Sequence, residues 1–466
     1  MTLSTAATTL EELRAGLTGR LATPSDPDYE ELRAVPSGGD LRPAAVARVA
    51  NAEDIAAVIG FARATGTELA VRCGGHSGAG HSTTDGGIVI DLRDLDGIEV
   101  DPETRTAWAG AGNTAAAVNA KVAKHGLVIG FGDTGSVGIG GITLGGGVGY
   151  LVRRFGLTID NLEAVELVTA DGELVIADAE HHPDLFWALR GGGGNFGVAT
   201  RFRYRLHELP QITGGMLVQP ATPETVAAFM AAAESAPEEL SAIANVMTCP
   251  PLPFVAEEHH GSLVIFAILC FAGEADAGEA AMAPFRAVAE PLGDAVRPMT
   301  YPELFPAEEA PPADPDADPS MVPGFAGLTL FTDRIGPEES ALIMERLEWS
   351  DAPMRVAQLR VLGGAMARVA PDATAFAHRQ QRVMVNVAAM YVGPTDRVVK
   401  EAWVRDLAAG LEGGDGAAYV NFVNDEGPER VRAAYPGATW DRLAAIKARY
   451  DPANLFRRNH NIPPAT

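Results

Sequence analysis

The run Arg72-Cys73-Gly74-Gly75-His76-Ser77 constrains this chain more than any other. It follows Glu68-Leu69-Ala70-Val71, which reads as a strand, and leads into Gly78-Ala79-Gly80-His81-Ser82, too rich in glycine to extend as helix or sheet. Backbone amides freed of side chains can close around a phosphate. A histidine held in such a turn lies beside whatever cofactor carries that phosphate, suited to serve as a ligand or as a covalent attachment point. Cys73, His76 and His81 have no fourth metal ligand nearby, and glycine-rich chain suits phosphate better than a fixed coordination shell. Gly75-His76-Ser77-Gly78-Ala79 falls one glycine short of the nucleophile elbow GxSxG, which argues against acyl transfer.

Two further glycine clusters follow, Gly138 to Gly149 and Gly191 to Gly197. Such density inside a folded region points to close backbone approach to a ligand, the bland alternative being a turn between elements. Gly192, Gly194 and Gly197 have GxGxxG spacing, but a helix pattern precedes them and a strand pattern follows. The dinucleotide fingerprint needs the reverse order. Gly110-x-Gly112-x-x-Ala115 has the right order but is an isolated match, so a nicotinamide-binding Rossmann site is set aside.

The 466 residues suffice for one large domain or two to three ordinary ones. Acidic residues number 61 against 36 basic, a net charge of −25, which disfavours nucleic acid and anionic membrane as partners. Part of the excess, Glu303, Glu308, Glu309, Asp314, Asp316 and Asp318, lies among prolines and reads as a solvated loop. Three cysteines without a CxxC pair indicate neither a disulfide framework nor a cysteine zinc site. The N-terminus reads as an amphipathic helix over Leu10–Leu17 and not as a signal peptide, and no apolar stretch reaches about 18 residues. A cytoplasmic protein is expected.

The first 210 residues alternate helix and strand signals. Helices are expected at Ala52–Thr65, Thr114–His125 and Pro183–Arg190. Strands are expected at Glu68–Arg72, Gly87–Asp91, Ile98–Asp101, Thr106–Gly110 and Val198–Leu206. Leu162–Thr169 and Leu174–Ala177 should pair about the Asp171-Gly172 turn. Beyond Pro210, strand-like runs at Ser262–Phe271, Gly327–Thr332 and Val383–Tyr391 alternate with helices such as Pro223–Ala236. Pro302–Pro323 reads as a long surface loop, and compact signals return at Ala418–Val423 and in a helix over Trp440–Tyr450.

Taken together, these residues resemble the berberine bridge enzyme-like family of flavin oxidases, within the vanillyl-alcohol oxidase superfamily. Arg72 to Ser77 matches that family's R-x-G-G-H-S loop, and Val137–Gly149 through Gly156-Leu157-Thr158-Ile159-Asp160-Asn161 matches its second cofactor loop. Asp184 to Gly197, Gly363-Gly364-Ala365-Met366, Thr374 to Arg379, Tyr419-Val420-Asn421-Phe422 and Tyr450 to Arg457 are similar to later signatures. The resemblance implies an α+β fold of two lobes: a PCMH-type FAD-binding domain over residues 1–210, a substrate-binding domain on an antiparallel sheet over 211–406, and a segment over 407–466 returning to the first. It implies FAD linked covalently through His76. Arg72, Cys73, Gly74, Gly75, Ser77, His81 and Ser82 would belong to the cofactor site from the first loop. Thr134, Gly135, Val137, Gly138, Gly141, Gly145 and Gly147 would belong to it from the second. Val198, Asn421, Asn459 and Asn461 complete the set.

Departures from the family pattern carry expectations of their own. Thr134 stands where many relatives place a second, cysteine link, so a single link through His76 is expected. Val137 resembles the oxygen gate, where a small side chain goes with oxidase activity. Phe422 and Val148 stand where relatives often carry tyrosine or another polar group, and neither takes a proton. Alternation along the strand puts Met384, Asn386 and Ala388 on one face, and Asn386 aligns approximately with a polar active-site residue of relatives. Tyr150, Tyr391, Tyr419 and His378 remain candidate bases. The expected activity is oxidation of a small, hydrophobic organic substrate, with hydride passing to flavin N5 and electrons returning to O2 as hydrogen peroxide. A carbohydrate or alcohol oxidase, a flavin dehydrogenase with another acceptor, and a catalytically silent flavin-containing binding protein are the alternatives.

Overall fold

A computed structural model describes residues 7–36, 40–305, 323–413 and 416–466. Among them, the first sheet comprises β1 (Arg20–Ala22), β2 (Ala45–Arg48), β3 (Leu69–Arg72) and β4 (Ile88–Asp91), in the order β1-β2-β4-β3. β2 and β3 both run parallel to β4. β2 and β3 lie on either side of β4, and the helix Ala52–Thr65 crosses from one to the other. Asn51 caps that helix by accepting from the Asp54 amide, Ile55, Val58, Ile59 and Ala62 form its buried stripe, and Gly66 ends it at φ +72°. β3 therefore delivers its carboxyl end, and the glycine turn after it, to one edge of the domain.

A second, antiparallel sheet is built from β5 (Ile98–Asp101), β6 (Thr106–Gly110), β8 (Leu162–Val168), β9 (Leu174–Asp178) and β10 (Val198–Arg205), in the order β5-β6-β10-β8-β9. β7 (Leu127–Val128) and β11 (His207–Glu208) form a separate two-stranded ribbon. β8 and β9 pair about Asp171-Gly172 as expected, with Gly172 at φ +87°. The expected helix at Thr114–His125 is an α-helix over Ala115–Val122, capped by Thr114, that tightens into a 3₁₀ turn.

The second lobe is one antiparallel sheet. Its strands are β12 (Ile212–Pro220), β13 (Leu240–Thr248), β14 (Leu263–Phe271), β15 (Gly293–Asp294), β16 (Arg297–Met299), β17 (Pro323–Thr332), β18 (Arg355–Val361) and β19 (Val383–Val392). The order is β15-β12-β14-β13-β18-β19-β17, with β16 also on β12. Alternate residues such as Ile265, Ala267 and Leu269, or Val383, Val385 and Val387, are buried under the helices Pro223–Ser235, Ala275–Arg286, Pro337–Trp349 and Gly393–Leu411. The intervening residues face the first lobe.

One boundary differs from the sequence expectation. β17 begins at Pro323, four residues before Gly327. The compact signals at Ala418–Val423 resolve into a 3₁₀ turn over Val420–Phe422. Glu303 caps Thr300 and pairs with Arg297 at 2.9 Å, whereas Glu308, Glu309, Asp314, Asp316 and Asp318 lie outside the described residues. The core of the first lobe takes in Ala418, Val420, Tyr435, Leu443, Ile446, Phe456 and Ile462, so the C-terminal segment packs back onto it. No described helix is long and apolar enough to cross a membrane.

Candidate functional site

The turn after β3 is braced from beneath. Arg72 points inward to Asp91 at 2.6 Å and to the Ala34 carbonyl at 3.2 Å. The Cys73 thiol donates to the Ala111 carbonyl at 2.7 Å, and burial pushes its pKa up to about 11, which keeps it a neutral thiol. His76 then stands exposed on the outer side of the turn, its Nε2 3.3 Å from Ser136 Oγ. A Cβ on Gly74 would lie 2.5 Å from the Gly138 nitrogen, and one on Gly138 would overlap the Cys73 sulfur. Only glycine at both positions lets the two loops touch. Their contact brings His76 and Ser77 to the segment Thr134, Gly135, Val137 and Gly138.

The wall continues past the short helix Ile139–Gly145. Asn421 donates to the Ile142 carbonyl at 3.1 Å and to the Tyr419 hydroxyl at 2.9 Å, which also accepts from the Gly147 amide at 2.8 Å. Burial pushes Tyr419 up to about 12. Gly141 borders open space, since a Cβ added there would meet no heavy atom within 4 Å. His81 meets His460 edge to face at 4.7 Å between ring centres. Burial holds both imidazoles neutral, pulled down to about 3 and about 4. Ser82 is buried behind them, and Val198 is buried at the start of β10.

These residues fit a bound FAD. Asn459 Oδ1 and Asn461 Oδ1 are buried without a hydrogen-bond partner, as is Thr83 Oγ1 close to His81 in the chain. Buried acceptors in that condition need a partner, and Asn459 and Asn461 line one cleft with His81, His460 and Trp440. Together with the glycine loops and the exposed imidazole of His76, they are the groups that would meet a phosphate-bearing cofactor there.

Opposite this wall, strand register arranges the sheet face in rows. Thr329, Asn386, Gln358 and Asn245 are direct cross-strand partners on β17, β19, β18 and β13. Thr329 donates to Asn386 Oδ1 at 3.2 Å, and Gln358 donates to Asn245 Oδ1 at 2.8 Å. On one side of this polar row lie Phe331, Met384, Arg360 and Ile243, and on the other Gly327, Ala388, Val356 and Met247. Arg360 is the charged member of these rows among the described residues. It is 3% exposed and forms an ion pair with Asp133 of the first lobe. It also donates to Gln358 Oε1 at 2.6 Å and to the Val148 carbonyl at 3.3 Å, and lies 5.2 Å from the Phe422 ring centre.

The residues expected from the sequence divide accordingly. Asn386 is half-buried in the polar row. Val148 and Phe422 border the same region, and both contact Arg360. Tyr150 donates to the Asp133 carbonyl at 3.2 Å and packs near Phe305, where burial raises it well above the usual phenol range. Tyr391 lies on the helix-facing side of β19 and packs over Gly324. His378 reaches the Ala433 carbonyl at 3.1 Å and packs against Phe331, beside the polar row, at 5.4 Å between ring centres. Sequence reasoning misses Asp133, Arg360, Gln358, Asn245 and Thr329. A signal for two of them is present in Arg355-Val356-Ala357-Gln358-Leu359-Arg360-Val361, whose alternation puts Gln358 and Arg360 on one face.

Residues 43–178 match a family model described as FAD binding domain, and residues 418–463 match one described as Berberine and berberine like. The FAD-linked oxidoreductase YvdP of Bacillus subtilis is 31% identical over 469 residues, spanning 96% of this chain and 99% of its own. The (R)-6-hydroxynicotine oxidase of Paenarthrobacter nicotinovorans is 29% identical over 460 residues, with coverage of 96% and 97%. A crystal structure of 6-hydroxy-D-nicotine oxidase from Arthrobacter nicotinovorans superposes with a TM-score of 0.83 at 26% identity, covering 96% of this chain and 98% of that one.

Proposed function

Because the chain belongs to the berberine bridge enzyme-like family of FAD-linked oxidoreductases, we propose that it is an oxidase of a small, largely hydrophobic organic molecule. When bound, FAD would supply a two-electron acceptor for a substrate C–H bond, with O2 as the final oxidant. The protein's task is position and electrostatics. The loops after β3 and around Thr134–Gly147 hold the cofactor, with a single covalent link through His76, Thr134 offering no thiol for a second. The sheet face orients the substrate against that wall.

The observation that carries the substrate class is the make-up of the sheet face. One row presents an alcohol and three amides, and the half-buried Gly327, Ala388, Val356 and Met247 beside it are apolar, whereas Phe331, Met384 and Ile243 are already packed against the first lobe. Such a face suits a molecule with an apolar body and few polar groups, whereas a sugar would need polar partners along its whole length. Asn386, whose carbonyl oxygen is taken by Thr329, keeps its amide hydrogens for a substrate acceptor. Anaerobic mixing with a panel of phenols, alkaloid-like amines, alcohols and sugars tests the reading. Flavin bleaching by apolar members, with peroxide formed on admitting air, is the expected result. Bleaching by sugars alone overturns the substrate class, and no bleaching across the panel favours a flavin-containing binding protein.

A further inference from the structure

We infer that Asp133 is the proton acceptor of this site and that Arg360 positions it. The inference rests on the oxidase reading and supplies the base which that reading lacks. Asp133 precedes Thr134 on the loop that touches the His76 turn, so it stands on the cofactor wall and faces the sheet. Its Oδ2 takes the ion pair with Arg360. Among the described residues its Oδ1 has only a 3.4 Å contact, from Thr134 Oγ1. The carboxylate side chain is 20% exposed, against 4% for the guanidinium. One oxygen is thus anchored by Arg360, and the other keeps only the weak contact from Thr134 on a partly exposed side chain.

Every nitrogen of Arg360 is engaged in holding this arrangement. Nε and Nη2 meet Gln358 Oε1, Nη1 meets the Val148 carbonyl, Nη2 meets Asp133, and the Phe422 ring covers its face. Apolar clusters flank the pair, with Tyr150 and Ile243 on one side and Val148, Met384 and Phe422 on the other. Charges held in such surroundings act with little screening. The other titratable groups around Asp133 are Tyr150, Tyr301 and Cys270, all neutral because burial raises their pKa values. Tyr419 is an acceptor already filled by two donors. Asp133 is therefore the carboxylate placed to receive a proton.

The step balances as follows. A substrate O–H or N–H bond breaks and its proton goes to Asp133 Oδ1. The electron pair left on that heteroatom forms the new C=O or C=N bond. The adjacent C–H bond breaks, and its hydrogen leaves with the bonding pair to the FAD, the two-electron oxidant. The substrate is oxidised by two electrons and the carboxylate returns its proton to solvent.

The experiment compares wild type, Asp133→Asn, Asp133→Glu and Asp133→Ala, each with FAD bound. Wild-type bleaching should accelerate with pH along an acidic limb that Asp133→Asn abolishes, with a rate loss on the order of 100-fold or more. Asp133→Glu should restore the limb, and formate should rescue Asp133→Ala. A second readout needs no turnover: the pH dependence with which a non-oxidisable phenol perturbs the flavin spectrum should vanish in Asp133→Asn. An unchanged pH profile and phenol titration in a folded Asp133→Asn protein overturn the assignment and leave a bridge between lobes. A wild type that bleaches with no substrate fails the oxidase reading instead, and the phenol titration then judges Asp133 separately.

Discussion

Two arginine–aspartate pairs join the same two halves of this molecule, and they are built differently. Arg379 meets Asp160 through two parallel hydrogen bonds of 2.8 Å. It also bonds Thr374 Oγ1 at 2.8 Å and the Phe376 carbonyl at 3.2 Å, and Asp160 accepts from the Leu157 amide at 2.8 Å. Every nitrogen of Arg379 and both oxygens of Asp160 are engaged, and Arg379 is wholly buried. Arg360 meets Asp133 through one oxygen and leaves the other free. A bidentate, fully satisfied pair fixes geometry. A pair with one open carboxylate oxygen beside a cofactor wall can also do chemistry.

The largest effect on stability should come from breaking the closed pair. Arg379→Met strands Asp160 in an apolar joint and should cost about 3–5 kcal/mol in urea denaturation. A loss under about 1 kcal/mol would erase the contrast. Asp133→Asn should cost less, about 1–2 kcal/mol, since the amide oxygen still accepts from Arg360 and the site opens to water. Equal losses from both variants would mean that both pairs are braces.

Smaller effects sharpen the same contrast. Tyr419→Phe removes the acceptor shared by Gly147 and Asn421 and should cost about 1–2 kcal/mol while leaving the acidic limb of the rate profile in place. Loss of that limb would transfer the proton to Tyr419. Away from both pairs, His207 stacks on Phe155 at 4.0 Å, and burial pulls its pKa down to about 4. Its unfolded form takes up a proton near pH 6.5 while the folded form does not, so its contribution is intact above about pH 6.5 and is lost as pH falls toward 4. Thermal melts of His207→Phe should show a shallower acid slope than wild type over that window. An unchanged slope would assign the acid sensitivity to His81, His460 or carboxylates.

The first lobe is legible in the sequence because its constraints are local. Gly66 after a capped amphipathic stripe, Asp171-Gly172 between two alternating runs, and the glycines that let residues 74 and 138 touch all announce themselves within a few positions. The proposed cofactor wall is argued from the same residues. The substrate face is less legible. Alternation finds Asn386, but its partners Gln358, Asn245 and Thr329 come from strands up to 113 positions apart, and only strand register brings them into one row. Arg360 and Asp133 are likewise distant in sequence, so neither marks the other. Tyr391 suits a base by residue type alone, and strand parity turns it to the helix side of the sheet, whereas His378 is brought against Phe331 by a chain path no local pattern announces.

The central claim is that the glycine turn after β3 holds a flavin through its histidine. Acid precipitation of the purified protein, followed by digestion and mass mapping of the coloured fragment, tests it most directly. The pellet should stay yellow, and the flavin mass should lie on the peptide containing His76 and on no other. A colourless pellet with all pigment in the supernatant, or a flavin mass on a different peptide, would contradict it.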